Sequence, residues 1–302
     1  MTSARPDILC VGAVLWDVIG RSPVPMAPGA DVPGRIRHVP GGVALNVAVA
    51  LAARGQSVAV LGAVGADPEG EALLAAARAL GVATDWMQRL PEWPTDIYMA
   101  IEDSHGLIAA IADAHSLEAA GERVLAPLRD GSLGSAEEPW QGTVVIDGNL
   151  TTAQLETIAA DPALRLADLR VVPASPGKAE RLAPLIGPER VTLYLNRAEA
   201  ETLAGHPCAG AAEAAAAVVA RGAARVLVTD GARPAACASA SDQNAAEVLT
   251  AQPPAVTIAR VTGAGDCFLA AHLVAERAGA DRAAALDAAI MAAAAHVSGE
   301  GP

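Results

Sequence analysis

Short apolar runs alternate with helix-length stretches along most of the chain, and this rhythm constrains the fold more than any other feature. Ile8-Leu9-Cys10-Val11 runs into Gly12 and reads as a buried strand. Further strands are expected at Val58–Leu61, Thr143–Ile146, Leu169–Val172, Val191–Leu195 and Arg225–Thr229. Helices are expected at Val43–Arg54, from Asp67-Pro68 to Gly81, and at Thr152–Ala159, Lys178–Ile186, Ala198–Leu203, Ala211–Arg221, Gly265–Arg277 and Arg282–Val297. Asp67 supplies an N-cap and Pro68 a first helical turn, while Gly55 and Gly81 close helices. Strand and helix alternating at this spacing imply an α/β fold, with a doubly wound, mostly parallel sheet covered by helices on both faces.

Two stretches break the rhythm. Residues 14–40 are rich in Pro and Gly, and residues 96–112 read as strands around a turn at Ser104-His105-Gly106. Both are expected to stand outside the main sheet as a small β lid on a single domain spanning 1–302. Asp130–Gln141 reads as an exposed loop.

Composition narrows the function. With 302 residues, 52% of them hydrophobic, the chain can bury a large core. A net charge of −13 and only 2% aromatic residues argue against nucleic acid as a partner. The four cysteines, Cys10, Cys208, Cys237 and Cys267, form no CxxC pair, which fits a reducing cytoplasm better than a disulfide or zinc scaffold. Residues 1–7 show no signal-peptide pattern, and the Ala-rich stretches are interrupted by charge, so no membrane span is expected.

The chemistry concentrates in Thr262-Gly263-Ala264-Gly265-Asp266, set before an apolar helix. Small residues at a helix start leave backbone N–H groups uncovered, a nest suited to a phosphoryl group in transfer. Asp266 sits beside that nest, where a carboxylate can take a proton from an attacking hydroxyl. Alone, the segment reads equally well as a tight turn with a helix cap. Other residues add to it. Asn196 and Glu199 stand three apart at a helix start and can reach a hydrated Mg²⁺, although a capping Asn explains them too. Thr229 and Gly231 follow another strand, where nucleotides approach backbone in open α/β sheets. Gly41-Gly42 precedes a helix carrying Asn46 among apolar neighbours, and Asp17 can hold two hydroxyls of a sugar. Lys178 is either a surface helix residue or a group near phosphates.

Taken together and in order, these residues resemble the PfkB (ribokinase-like) family of carbohydrate and nucleoside kinases over nearly the whole chain. Asp17 is similar to that family's early sugar-binding aspartate, and Gly41-Gly42 with Asn46 to its first signature. Gly65, Asp67 and Gly70 are similar to its G-x-D-x-x-G stretch, and Asn196 with Glu199 to its metal-associated N-x-x-E. Thr262 to Asp266 is similar to its second signature, which supplies the anion hole and the base. Asp147-Gly148-Asn149-Leu150, Pro173-Ala174-Ser175-Pro176-Gly177-Lys178 and Asn196 to Glu201 most resemble the pseudouridine kinases of that family.

The resemblance implies a ribokinase-like fold, ATP and Mg²⁺, and a homodimer joined through the lid. It implies phosphorylation of a primary hydroxyl, foremost the 5′-hydroxyl of pseudouridine, with ribokinase or another nucleoside kinase as alternatives. A non-catalytic nucleotide or sugar sensor on the same fold is the alternative of another class. A dinucleotide oxidoreductase would need G-x-G-x-x-G after the first strand, where Gly12 is followed by Ala13-Val14-Leu15-Trp16. There are departures. Arg260 stands where the family often carries an acid that helps to hold a monovalent cation, so K⁺ is expected to be dispensable. Pro234 replaces a glycine of the nucleotide loop, and Leu45 stands where pseudouridine kinases often have a polar residue.

Overall fold

A computed structural model describes residues 5–240 and 247–300. In chain order the elements are β1 (Ile8–Val11), β2 (Leu15–Arg21), β3 (Arg35–Gly41), α1 (Val43–Ala52), β4 (Val58–Leu61), β5 (Ala63–Gly65), α2 (Pro68–Ala79), β6 (Gln88–Leu90), β7 (Ile97–Asp103), β8 (Gly106–Asp113) and α3 (Ser116–Ala120). They continue with β9 (Thr143–Asp147), α4 (Thr152–Ala160), β10 (Asp168–Val172), β11 (Val191–Asn196), α5 (Arg197–Ala204), α6 (Ala211–Ala220), β12 (Arg225–Asp230), β13 (Arg233–Ser239), β14 (Glu247–Ala251), α7 (Ala264–Arg277) and α8 (Arg282–Ser298).

The main sheet has eight strands in the order β14-β13-β12-β11-β10-β9-β1-β4. From β12 to β4 every pairing is parallel, and the hairpin of β13 and β14 adds two antiparallel strands at one edge. The chain leaves β1 toward β4 on one side, while β9 to β12 are laid down on the other. The order therefore reverses between β1 and β9, and ligands of open α/β sheets collect at such a switch point, beyond the strand C-termini.

Period-two alternation feeds two cores. Leu9 and Val11 of β1 face α4 to α6, with Leu155, Ile158, Leu203 and Val218. Ile8 and Cys10 face α1, α7 and α8, with Leu45, Leu51, Phe268, Leu273 and Leu286. Burying apolar residues on both faces of parallel strands is the main stabilising contribution.

A smaller sheet, β3-β2-β7-β8, is built from the two stretches that break the rhythm. It leaves the main sheet directly at the end of β1. The G-x-D-x-x-G stretch anchors it: Asp67 caps α2 through Gly70 N–H at 2.7 Å and accepts Thr95 N–H at 2.8 Å, two residues before β7. Gly70 is needed there because a Cβ would come within 2.4 Å of the Gly65 carbonyl oxygen.

Some segments depart from expectation. The expected helix at Lys178–Ile186 is a run of 3₁₀ turns at Pro176–Leu185, because Pro184 lies inside it and cannot donate to an α-helical ladder. Asp130–Gln141 is irregular, yet Leu133 and Trp140 are buried and pin it to the core. The β13–β14 hairpin, α3 and the 3₁₀ run Gly121–Leu128 that follows it have no counterpart in the strand–helix rhythm. Among the described residues no helix is long and apolar enough to cross a membrane. The four cysteines are unpaired.

Candidate active site

Two glycine turns, each opening an apolar helix, meet at the switch point. The first is Gly41-Gly42, ahead of α1. A Cβ on Gly41 would lie 2.1 Å from Asp17 Oδ2, so the glycine lets the Asp17 carboxylate lie flat against the turn. Gly42 has φ 92°, and a Cβ there would meet the Ala13 carbonyl oxygen at 2.3 Å. One turn into α1, the Asn46 side chain lies beside the Asp266 carboxylate and favours its ionised form.

The second turn is Thr262-Gly263-Ala264-Gly265, ahead of α7. Gly263 takes φ 87° as the N-cap, which places Asp266 in the first helical turn. The Ala264 N–H donates to the Val261 carbonyl at 3.1 Å, so this amide, expected to join the nest, is engaged within the turn. The N–H groups of Gly263 and Gly265 enter no hydrogen bond among the described residues. A Cβ on Gly265 would meet nothing within 4 Å. The turn is held from behind by α8: His296 Nε2 lies 2.8 Å from the Thr262 carbonyl oxygen and Nδ1 lies 3.2 Å from Cys267 Sγ. A carbonyl only accepts, so Nε2 carries the proton and Nδ1 accepts from the thiol. Arg260 Nε donates to the His296 carbonyl at 3.1 Å, and its backbone N–H donates to the Val297 carbonyl. That guanidinium thus interacts with the C-terminal carbonyls of α8.

The electrostatics of the junction favour a base. Burial pushes the Asp266 carboxyl up to about 7; Asn46 pulls it back, and Asp147 and Asp17 raise it further. Burial pushes Asp17 up to about 6. A carboxylate that titrates near neutrality can take a proton from a hydroxyl in the transition state and still be ionised beforehand.

The remaining residues lie along the same edge. Asn196 and Glu199 form a capping box at the start of α5: Asn196 Oδ1 accepts Glu199 N–H at 2.9 Å, and Glu199 Oε2 accepts Asn196 N–H at 2.7 Å. This engages the Asn196 carbonyl and leaves Glu199 Oε1 outside the box. Among the described residues no group of three or more His, Cys, Asp or Glu side chains could cage a metal. Such a donor set fits Mg²⁺ held through its own waters and a polyphosphate, its usual habit. Thr229, the penultimate residue of β12, is half-buried, and Gly231 (φ 60°) opens the two-residue turn to β13, where a Cβ would meet nothing within 4 Å. Lys178 is half-buried; its Nζ donates to Asn149 Oδ1, joining the loops after β9 and β10. Burial lowers its affinity for the proton and the Asp147 charge restores part of it.

Asp147, the last residue of β9, went unassigned beyond a motif match, yet it lies at the centre of the arrangement. It is fully buried, and a Cβ on Gly12 would lie 2.2 Å from its carboxyl carbon. The one local signal was an acid closing the apolar strand Thr143–Ile146. His296 carried no signal at all, because its partners come from another segment.

Comparison with known proteins gives the family. The model of the "pfkB family carbohydrate kinase" family matches residues 5–302. A pseudouridine kinase of Escherichia coli K12 is 28% identical over 267 residues, 87% of this chain and 81% of that protein. An uncharacterized sugar kinase of the same organism, YeiI, is 35% identical over 149 residues, 49% of this chain but only 40% of that protein. A solved carbohydrate kinase from Agrobacterium tumefaciens superposes with a TM-score of 0.77 at 27% identity, covering 95% of this chain and 89% of that one. With a family match from Arg5 onward, a ribokinase-like sheet and a carboxylate set beside a glycine nest, the chain belongs to the pfkB family of carbohydrate kinases, phosphotransferases with a hydroxyl acceptor.

Proposed function

We propose that this kinase transfers the γ-phosphoryl group of ATP to the 5′-hydroxyl of pseudouridine, giving pseudouridine 5′-phosphate. One observation carries the kinase chemistry: Asp266 stands beside the open Gly263 and Gly265 amides and faces Asn46 and Asp17. The choice of pseudouridine is supported by the 28% identity to a pseudouridine kinase across most of both chains, together with the Asp147–Leu150 and Pro173–Lys178 motifs.

In this reading Asp17 and Asn46 hold the ribose hydroxyls, and the Gly41-Gly42 turn lets the sugar approach the backbone. Asp266 accepts the proton as the hydroxyl attacks in line. The Gly263 and Gly265 amides stabilise the equatorial oxygens of the phosphoryl group in transfer. Thr229, Gly231 and Asn196 border the nucleotide, and Lys178 lies on the phosphate side of the cleft. Glu199 would orient a hydrated Mg²⁺, which neutralises phosphate charge when bound. The Arg260 contact to α8 supports a turn that keeps its shape without K⁺. The smaller sheet acts as a lid that excludes water.

The lid also supports a homodimer. Ile36, Met99, Ile101 and Ile111 lie on its face opposite Asp17, in adjacent rows of the register, at 72%, 44%, 39% and 68% exposure. An apolar face of this kind fits a second copy of the chain. Sedimentation should give a dimer that Ile111→Lys converts to monomer, and an unchanged wild-type monomer would remove this part of the reading. The reducing cytoplasm suits the unpaired cysteines.

The deciding experiment is ATP turnover with pseudouridine, uridine, adenosine, ribose and fructose. The expected result is ADP formation with the highest kcat/KM on pseudouridine. ADP formation with ribose or adenosine preferred would move the substrate; binding of ATP and nucleoside with no ADP formed would make the protein a sensor.

A further inference from the structure

The Asp147 carboxylate is a buried acid with no part in the phosphoryl transfer described above, and its contacts are unlike those of a caged surface charge. Oδ2 accepts the N–H of Ala13 at 2.9 Å and the N–H of Ala44 at 3.1 Å, while Oδ1 accepts the N–H of Asn149 at 2.9 Å. Ala13 follows β1, Ala44 lies in the first turn of α1, and Asn149 follows β9. One side chain thus ties the two strands on either side of the switch point to the helix that carries Asn46. Gly12 makes this possible, since any Cβ there would occupy the space of the carboxyl group. All three donors are peptide N–H groups, so a neutral carboxyl would have to set its own O–H against one of them. Burial is the larger effect and holds the Asp147 carboxyl above the ordinary carboxylate range, while the donated hydrogen bonds pull part of that back.

We propose that Asp147 is the positioning residue of the acceptor half: an ionised brace that locks the start of α1 to the end of β1, so that Gly41-Gly42, Asn46 and Asp17 present the acceptor hydroxyl to Asp266. The proposal rests on the kinase reading above. Its charge also faces the base. The groups around Asp266 are Asn46 of α1, Asp17 of β2, Asp147 of β9 and, coupled to both Asp147 and Asp266, Cys10 of β1. From α8, His296 meets Cys267 and Thr262. Asn46 is the only group in that set that favours the ionised base. Removing the Asp147 charge therefore lowers the proton affinity of Asp266.

Asp147→Asn tests this with the acceptor of the panel that is turned over fastest. The expected acceptor KM rises about tenfold or more while the KM for ATP stays within about twofold. The acid limb of kcat/KM for the acceptor moves down by about half a pH unit or more. A merely structural residue would lower the amount of active enzyme without moving that limb. A folded variant, by circular dichroism and melting, with wild-type acceptor KM and pH limb overturns the proposal. A second measurement needs neither variant nor substrate: NMR of the wild-type Asp147 side-chain carboxyl carbon between pH 5 and 9. An ionised carboxylate throughout supports the brace, and a neutral carboxyl in that range overturns it. Because this arm reads without turnover, an absence of kinase activity would count against the proposed function and leave the brace separately decided.

Discussion

The turns that open α1 and α7 read alike in sequence, a glycine pair before an apolar helix, and differ in what fills the space around them. At Gly41 and Gly42 the protein itself occupies that space: the Asp17 carboxylate and the Ala13 carbonyl lie where side chains would be. A Cβ on Gly265 would meet nothing within 4 Å beyond its chain neighbours and its own helix. Gly41, Gly42 and Gly263, whose Cβ would come within 3.0 Å of His296 Nε2, are glycine because the fold is crowded there, whereas Gly265 alone keeps open space. In the proposed reading the acceptor half is therefore prebuilt, with its carboxylate already in place, whereas the phosphoryl half stays open at Gly265, its turn held from behind by His296 and Arg260. Asp266 stands where the halves meet.

The sharpest way to break this contrast is a methyl group at each turn. Gly265→Ala should leave the melting temperature unchanged or slightly raised, since alanine suits a helical first turn better than glycine. Turnover should still fall about 100-fold, because a phosphoryl group displaced by the order of an ångström loses alignment. Unchanged turnover would mean that the open space is not the phosphoryl site.

Gly41→Ala should act in the opposite sense. Its Cβ collides with Asp17, so stability should drop by about 1–3 kcal/mol and the acceptor KM should rise, with the KM for ATP nearly unaffected. A rise in the KM for ATP alone would reverse the assignment of the two halves.

The pH dependence sharpens the comparison further. If Asp266 is the base and Asp17 holds the acceptor as proposed, both carboxylates act ionised, so kcat/KM for the acceptor should decline as pH falls through about 7, where Asp266 gains its proton. The decline should steepen below about 6, where Asp17 follows. A profile flat down to pH 5 would exclude both as titrating participants. The smallest effect is expected at Arg260: replacing K⁺ by tetramethylammonium should change the rate less than about twofold, since the guanidinium already sits against the α8 carbonyls. A collapse of activity in that medium would show that the turn needs a cation after all.

What the sequence disclosed follows from how local each feature is. The strand–helix rhythm and both glycine turns are read from neighbours in the chain, so the parallel sheet and the place of Asp266 in the first turn of α7 were legible. Asp147 was not, because its partners Ala13 and Ala44 lie 134 and 103 residues away. The same holds for His296, whose contacts to Thr262 and Cys267 exist only once α8 packs beside α7. The β13 strand was hidden by its composition: Pro234 and several alanines have little β propensity, and pairing on both sides, with β12 and β14, overrides it. Pro184 turned an expected α-helix into 3₁₀ turns.

The claim that the two halves meet at a base rests on one side chain. Asp266→Asn, assayed in single turnover with the preferred acceptor and by ATP titration, is its most direct test. Phosphoryl transfer should fall by about 10²–10⁴-fold, the range for a lost general base, while ATP binds as in the wild type. Transfer at a near-normal rate would contradict the account and remove Asp266 from the chemistry.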